Sequence, residues 1–334
     1  MEKQVEAFWN WFNEHKEDDT LSLIEEANRE LKSIYKGVFV EFNLQNEPKE
    51  LIVTPHGVKQ YFATAYALVN DAPKIEGWKV VACKQPMEFY DFKIGEIEFN
   101  LSELTFMHLE SAEYPEDLAI RVYHKDYVPE EGEEQRKVIE GIYRILDSLL
   151  GEESVAFDFQ YIDFDDMPHP KEKDYPLNTI PTFVAQKKTG RKNSGERFPK
   201  DNIMLLEGKV ESLPTLLVSN QGLKYYEFTK EFPYLLRVTL HLKQIGQNGL
   251  PEGNTDELYL VEDIVYSAII KEKKGHFIAT ETFKGKRDIF YYVDSVESIE
   301  KALNGLPAEP VSCDVSYTVD FDPFWVMTEA YIYM

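Results

Sequence analysis

The order of elements over residues 234 to 321 constrains this chain more than any other feature. "YLLRVTLHLK" alternates, with Leu236, Val238, Leu240 and Leu242 on one side and Arg237, Thr239 and His241 on the other. Beyond the glycine-bearing loop "QIGQNGLPEGNT", helical spacing returns at Leu258, Val261, Ile264, Val265 and Ala268, up to about Lys271. Asn254 and Glu257 are placed as a near-capping box for that helix. "GHFIATETF" and "DIFYYVDS" then predict two strands joined by "KGKR", where Gly285 can take the positive φ of a tight hairpin. A short helix over "SVESIEKAL" and an alternating strand over "PVSCDVSYTVDF" complete the series β-α-β-β-α-β. That series is the split βαβ signature of a ferredoxin-like domain.

The rest of the chain mixes strands and helices without strict alternation. "NIMLLEGKV", "PTLLVSN" and "LKYYEF" predict a short meander. In the first half, helices are expected over 3–15 and 20–35, the second capped by Asp19 or Thr20, and from Val58 to about Asn70. The clearest helix runs from about Glu131 to Leu150, and "SVAFDFQYIDF" reads as a closing strand. Strands are also expected at "GVFVEFNL", "ELIVT", "WKVVACK", "GEIEFNL", "LTFMHLE" and "DLAIRVYHK". The fold class that follows is α+β, with helices packed on largely antiparallel sheets. A chain of 334 residues suits two such domains. They are expected at 1–165 and 201–334, with 166–200 as a Pro-rich and basic connection, because "DDMPHPKEKDYPLNTIP" and "QKKTGRKNSGERFPK" lack periodicity.

Composition excludes several functions. Sixty Asp and Glu against 36 Lys and Arg leave a formal charge of -24, which repels polyphosphate, so nucleic acid is not an expected partner. Two cysteines, Cys83 and Cys313, are too few for a disulfide framework. The N-terminal residues lack a signal-peptide pattern and no apolar run approaches bilayer length, so a soluble cytoplasmic protein without a membrane partner is expected. Nucleophile-elbow, phosphate-loop, zinc-helix and dinucleotide-binding motifs are all missing, and no cofactor is expected.

Three groups of residues are candidates for chemistry. Arg237 and His241 share the polar face of a predicted strand and offer a sheet-face site. Lys284, Lys286 and Arg287 stand at the tip of an aromatic hairpin and, with Tyr291, form a candidate binding set, although alternation equally predicts ordinary sheet packing there. "DFQYIDFDDMP" brings Asp163, Asp165 and Asp166 close to Asp158. Asp163 and Asp165 would face the same side of a strand, a spacing that can present two oxygens to Mg²⁺ or Ca²⁺. The glycine and closing glutamate of a calcium loop are lacking, and a solvated strand end fits the same residues.

The loop "NGLP" (Asn248 to Pro251), Glu262-Asp263 in the helix that follows, and the pattern T-x-x-G-x-R-x-x-x-Y from Thr282 to Tyr291 carry a resemblance. Over roughly 205 to 320 the chain resembles an uncharacterised bacterial family, domain of unknown function 695. More loosely, it is similar in size and topology to the acidic regulators of ribonuclease activity B. The resemblance implies a protein-binding regulator acting on a basic partner segment, with no catalytic residues to carry over. The expected function is therefore non-enzymatic binding or regulation through protein–protein contacts. The alternative is an enzyme with its site on the sheet face or at the aspartates of 158–166.

Overall fold

The computed structural model describes residues 2–17, 20–168, 173–252, 256–306 and 312–333. The chain divides into two compact units, Met1–Arg191 and Lys192–Met334.

The N-terminal unit holds two cores. In the first, α1 (Glu2–His15) and α2 (Thr20–Ile34) lie with a three-stranded sheet of β1 (Phe39–Asn43), β2 (Lys49–Thr54) and β3 (Trp78–Ala82). The aromatic knob of α1 is core: Phe8, Trp9 and Phe12 are buried with Leu23, Ala27 and Leu31 of α2. β1 and β2 are antiparallel, whereas β2 and β3 are parallel. Parallel neighbours need a crossover, supplied by a 3₁₀ turn at Lys59–Tyr61 and α3 (Phe62–Asn70).

The second core begins with a small hairpin of β4 (Phe92–Ile94) and β5 (Ile97–Phe99), followed by β6 (Thr105–His108) and β7 (Ala119–Tyr123). After α4 (Glu133–Leu150) and α5 (Glu152–Phe157) come β8 (Tyr161–Asp165), β9 (Asp174–Pro176) and α6 (Ile180–Thr189). The sheet order is β8-β7-β6-β9, with β7 and β8 parallel across the α4–α5 crossover and the other pairs antiparallel. α4 lays Val138, Ile142, Ile145 and Leu146 on Phe106, Ile120 and Val122.

Two segments of this unit differ from expectation. "SVAF" is helical: Gly151 at φ 84 ends α4, and α5 starts at once with Glu152 and Glu153 in its first turn. Two turns of helix with Val155 inward imitate strand alternation over so short a stretch. The expected connection 166–200 contains β9 and α6, which belong to the first unit. Leu177, Ile180 and Val184 sit at helical spacing and are buried in its core, a stripe obscured in the sequence by the prolines and lysines around it. Pro181, in the first turn of α6, leaves no helical hydrogen bond unmade.

The C-terminal unit comprises β10 (Ile203–Val210), β11 (Leu213–Asn220), β12 (Tyr234–Leu242), α7 (Asp256–Tyr266), β13 (Gly275–Phe283), β14 (Lys286–Val293), α8 (Val296–Leu303), β15 (Cys313–Phe321) and α9 (Glu329–Ile332). α7 continues through a π-helical stretch at Ser267–Lys271. One six-stranded sheet runs β10-β11-β13-β14-β12-β15, antiparallel throughout. β14 lodges between β12 and β13, the strands that α7 connects, and β12 lodges between β14 and β15, the strands that α8 connects.

Both faces of the central strands of this sheet are covered. Leu236, Val238, Leu240, Ile289, Tyr291 and Val293 pack with α7 and α8, while Leu235, Phe290 and Tyr292 pack on the opposite face with Trp325 and Ile332. The register of β13 against β14 shifts between Phe277 and Ala279. This bulge puts Phe277 on the α7 side and both Ile278 and Ala279 on the other, interrupting the strict alternation the residues suggest. "LKYYEF" is not a strand; it is a 3₁₀ turn and a bend with Tyr225 at φ 60. The expected caps at Asp19 and Asn254 lie outside the described residues. No helix among the described residues is long and apolar enough to cross a membrane.

Candidate functional site

A cleft of about 820 Å³ opens in the N-terminal unit, walled by Glu41, His56, Lys84, Tyr143, Asp147 and Phe159 among others. Five chain segments deliver its polar groups. Glu41 comes from β1, His56 from the turn after β2, and Lys84 from just beyond β3. Asp147 lies in the last turn of α4, and Glu152 opens α5 behind the cleft wall.

Glu152 is the anchor. It is 1% exposed and accepts from Thr54 Oγ1 (2.7 and 2.8 Å), Gly57 N (2.8 Å) and Lys84 N (3.1 Å). Burying a carboxyl group is costly unless its oxygens are met in this way. The contacts tie the ends of β2 and β3 to the start of α5. His56 and Cys83 both take left-handed backbone, φ 50 and 62, and so turn the chain where these contacts are made. Such backbone costs on the order of 1 kcal/mol per non-glycine residue and persists where surrounding contacts over-determine it.

Lys84 reaches into the cleft, 3.4 Å from Glu41 and 3.3 Å from Asp147. Burial alone would push its ammonium pKa down, but the carboxylates of Glu41, Asp147 and Glu152 outweigh burial and hold it above the ordinary value. Burial raises Asp147 from 3.8 to about 6, with Glu152 and Glu41 adding to the rise and Lys84 opposing it. Lys84 is therefore charged, and Asp147 keeps its proton to a higher pH than an ordinary aspartate. Glu41 falls below the ordinary range: burial works against this, but His56 (3.0 Å) and Lys84 more than compensate. The other cations lining the cleft are engaged too, Arg144 with Glu140 at 2.5 Å and Lys59 over the ring of Phe157.

The residues singled out by sequence lie elsewhere and do not converge. Arg237 donates to Asp288 at 2.5 Å and lies over Phe290, while Thr239 also donates to Asp288. His241 contacts Ser316 Oγ at 3.1 Å near the exposed end of β12. Lys284 pairs with Glu211, and Lys286 is exposed beside it. Arg287 binds Glu262 at 2.8 Å and Thr282 at 3.0 Å. Tyr291 is 1% exposed, a core side chain on the α7 face. Among the aspartates, Asp163 faces Arg121 across the β7–β8 pair at 2.8 Å, and Asp165 lies 3.8 Å from the same guanidinium. Asp166 is exposed in the bend after β8, its N–H donating to Asp165. No group of three or more His, Cys, Asp or Glu among the described residues is arranged to hold a metal ion.

Sequence reasoning missed the cleft because its polar residues are single letters spread over more than a hundred positions. The available signals were indirect: His56 next to Gly57, and Gly151 at the end of the helical pattern of 131–150. No curated protein and no solved structure matches the chain. The C-terminal unit is where the chain meets a known family: residues 204–333, from β10 through α9, match the model of a family of unknown function, DUF695.

Proposed function

We propose that the protein is a binding or regulatory protein acting through protein–protein contacts, and that the cleft of its N-terminal unit receives a cationic side chain from a basic segment of the partner. The observation that carries this reading is the charge arrangement around Lys84: one ammonium stands among Glu41, Asp147 and Glu152 at the wall of an 820 Å³ cleft. A second cation would supply what Asp147 lacks. The N-terminal unit also carries 38 Asp and Glu against 21 Lys and Arg, -17 of the total -24, which would steer a basic segment toward it.

In the same reading the C-terminal unit is a ferredoxin-like domain, supported by the two split βαβ units and by the order β15-β12-β14-β13. β10 and β11 extend that sheet. The buried thiols Cys83 and Cys313 support a reducing, cytoplasmic setting.

A second reading, an enzyme, is favoured by one observation. Asp147, held up to about 6 inside a cleft, suits proton transfer near neutral pH. Titration of the full chain with short Lys- and Arg-rich peptides separates the two readings. The binding reading expects saturable, salt-sensitive binding that Asp147→Asn and Glu41→Gln each weaken, and a peptide recovered with unchanged mass. Absence of binding at low salt removes it, and a chemically altered peptide favours the enzyme.

A further inference from the structure

β10 is an edge strand. β11 pairs with one side of it, none of its eight residues is buried, and Leu205 is 63% exposed. Such an edge presents a row of backbone donors and acceptors, which folded proteins ordinarily blunt with charge, proline or a bulge. β10 instead reads Ile-Met-Leu-Leu-Glu-Gly-Lys-Val, with one acid and one base. The opposite edge shows the contrast: a copy of β15 pairing antiparallel about Tyr317 would oppose Asp314 to Asp320.

The hairpin geometry says which groups of β10 face outward. Its two-residue turn, Glu211–Ser212, has both φ positive (51 and 67), so the flanking Val210 and Leu213 form a hydrogen-bonded pair. Alternation then directs the N–H and C=O of Leu206, Gly208 and Val210 to β11. Those of Ile203, Leu205, Glu207 and Lys209 point to the open side.

An antiparallel pairing of two copies about Gly208 is self-complementary. Glu207 of one copy opposes Lys209 of the other, twice, each in a hydrogen-bonded pair. Leu206 of one opposes Val210 of the other, also twice. Gly208 meets its own copy in a non-hydrogen-bonded pair, where Cα atoms come within about 4.5 Å. The single chain gives no reason for glycine there. Its φ is one any residue adopts, and an added Cβ would touch only Thr215 Cγ2 at 3.6 Å. Glycine inside a strand commonly marks close approach of another backbone.

We propose that β10 is a homodimer interface, in which two copies of the chain pair edge to edge and antiparallel about Gly208. The occupant is a second copy because self-pairing about Gly208 matches Glu207 to Lys209 twice, and the isologous contact closes on itself.

Sedimentation of the full chain over a range of concentrations tests this, with three variants. Wild type should show a monomer–dimer equilibrium. Lys209→Glu puts a second carboxylate opposite Glu207 at both symmetric positions and should weaken the dimer roughly tenfold. The double swap Glu207→Lys with Lys209→Glu should restore it. Glu207→Pro deletes an outward N–H while leaving the β11 ladder intact, and should yield monomer with an unchanged circular dichroism spectrum. A wild type that is monomeric throughout overturns the proposal. So does a dimer that Lys209→Glu and Glu207→Pro leave unaltered, and weakening that the double swap fails to reverse overturns the register about Gly208.

Discussion

Asp147 and Glu152 are five positions apart and meet opposite fates. Glu152 collects two backbone N–H groups and a hydroxyl, while Asp147 shares Lys84 with Glu41. Asp147's folded pKa of about 6 exceeds its ordinary 3.8, so between those values the folded state keeps a proton that the unfolded chain releases. Stability contributed by this group is therefore full below pH 4 and is lost as pH rises to 6. The loss amounts to up to about 3 kcal/mol at 1.36 kcal/mol per pH unit. Urea unfolding of wild type and Asp147→Asn between pH 4 and 7 should show the variant gaining relative stability with rising pH. A pH-independent difference contradicts the assignment. Glu152→Ala strips the acceptor from Thr54, Gly57 N–H and Lys84 N–H together, and should cost about 3–5 kcal/mol in the same assay. None of this was legible in the sequence. A titrating carboxyl is set by burial and neighbours, and its neighbours come from β1, the turn after β3 and α5. The residues that did stand out, Arg237, Arg287 and Asp163, stood out through local density of charge, and the fold gives each an ion-pair partner.

At the scale of elements, periodicity served long segments well. α4, β12 and the β13–β14 hairpin fall where their apolar spacing puts them, because α4 buries one full stripe and the strands bury side chains on both faces of the sheet. Short elements escaped it. α5 has six residues and α6 ten, and in both the tertiary contact rather than propensity makes the helix. Packing against propensity can be tested inside α4. Gly141 lies under Phe99 of β5, and an added Cβ would come within 2.0 Å of that ring. Alanine is the better helix former by about 1 kcal/mol, but the overpacked ring costs about 1–3 kcal/mol. Gly141→Ala should therefore lower the thermal midpoint, and a raised midpoint would mean the ring moves freely aside. The hairpin tip teaches the same lesson. Lys284 and Gly285, both at positive φ, make a tight turn, and the aromatics flanking it fill two cores rather than an exposed platform.

At the scale of the whole molecule, each unit has its own core, so residues 192–334 expressed alone should fold cooperatively with a dispersed amide spectrum; a molten spectrum would contradict that. The order β-α-β-β-α-β was legible because its strands are long and even the short α8 shows its apolar spacing without prolines or a lysine run around it. The boundary between units was not, since α6 carries its apolar stripe inside a stretch that looks like a linker. Acidic charge was visible as a total, and the structure adds where it bears: -17 of it lies in the unit with the cleft. The proposed role of this cleft is to receive a cation beside Asp147. The most direct measurement is the affinity of the full chain for one short lysine-rich peptide from pH 5 to pH 7.5, in wild type and Asp147→Asn. Binding that tightens several-fold as pH rises through about 6 in wild type, and stays flat in the variant, is the predicted result. Identical pH profiles for the two proteins would contradict it.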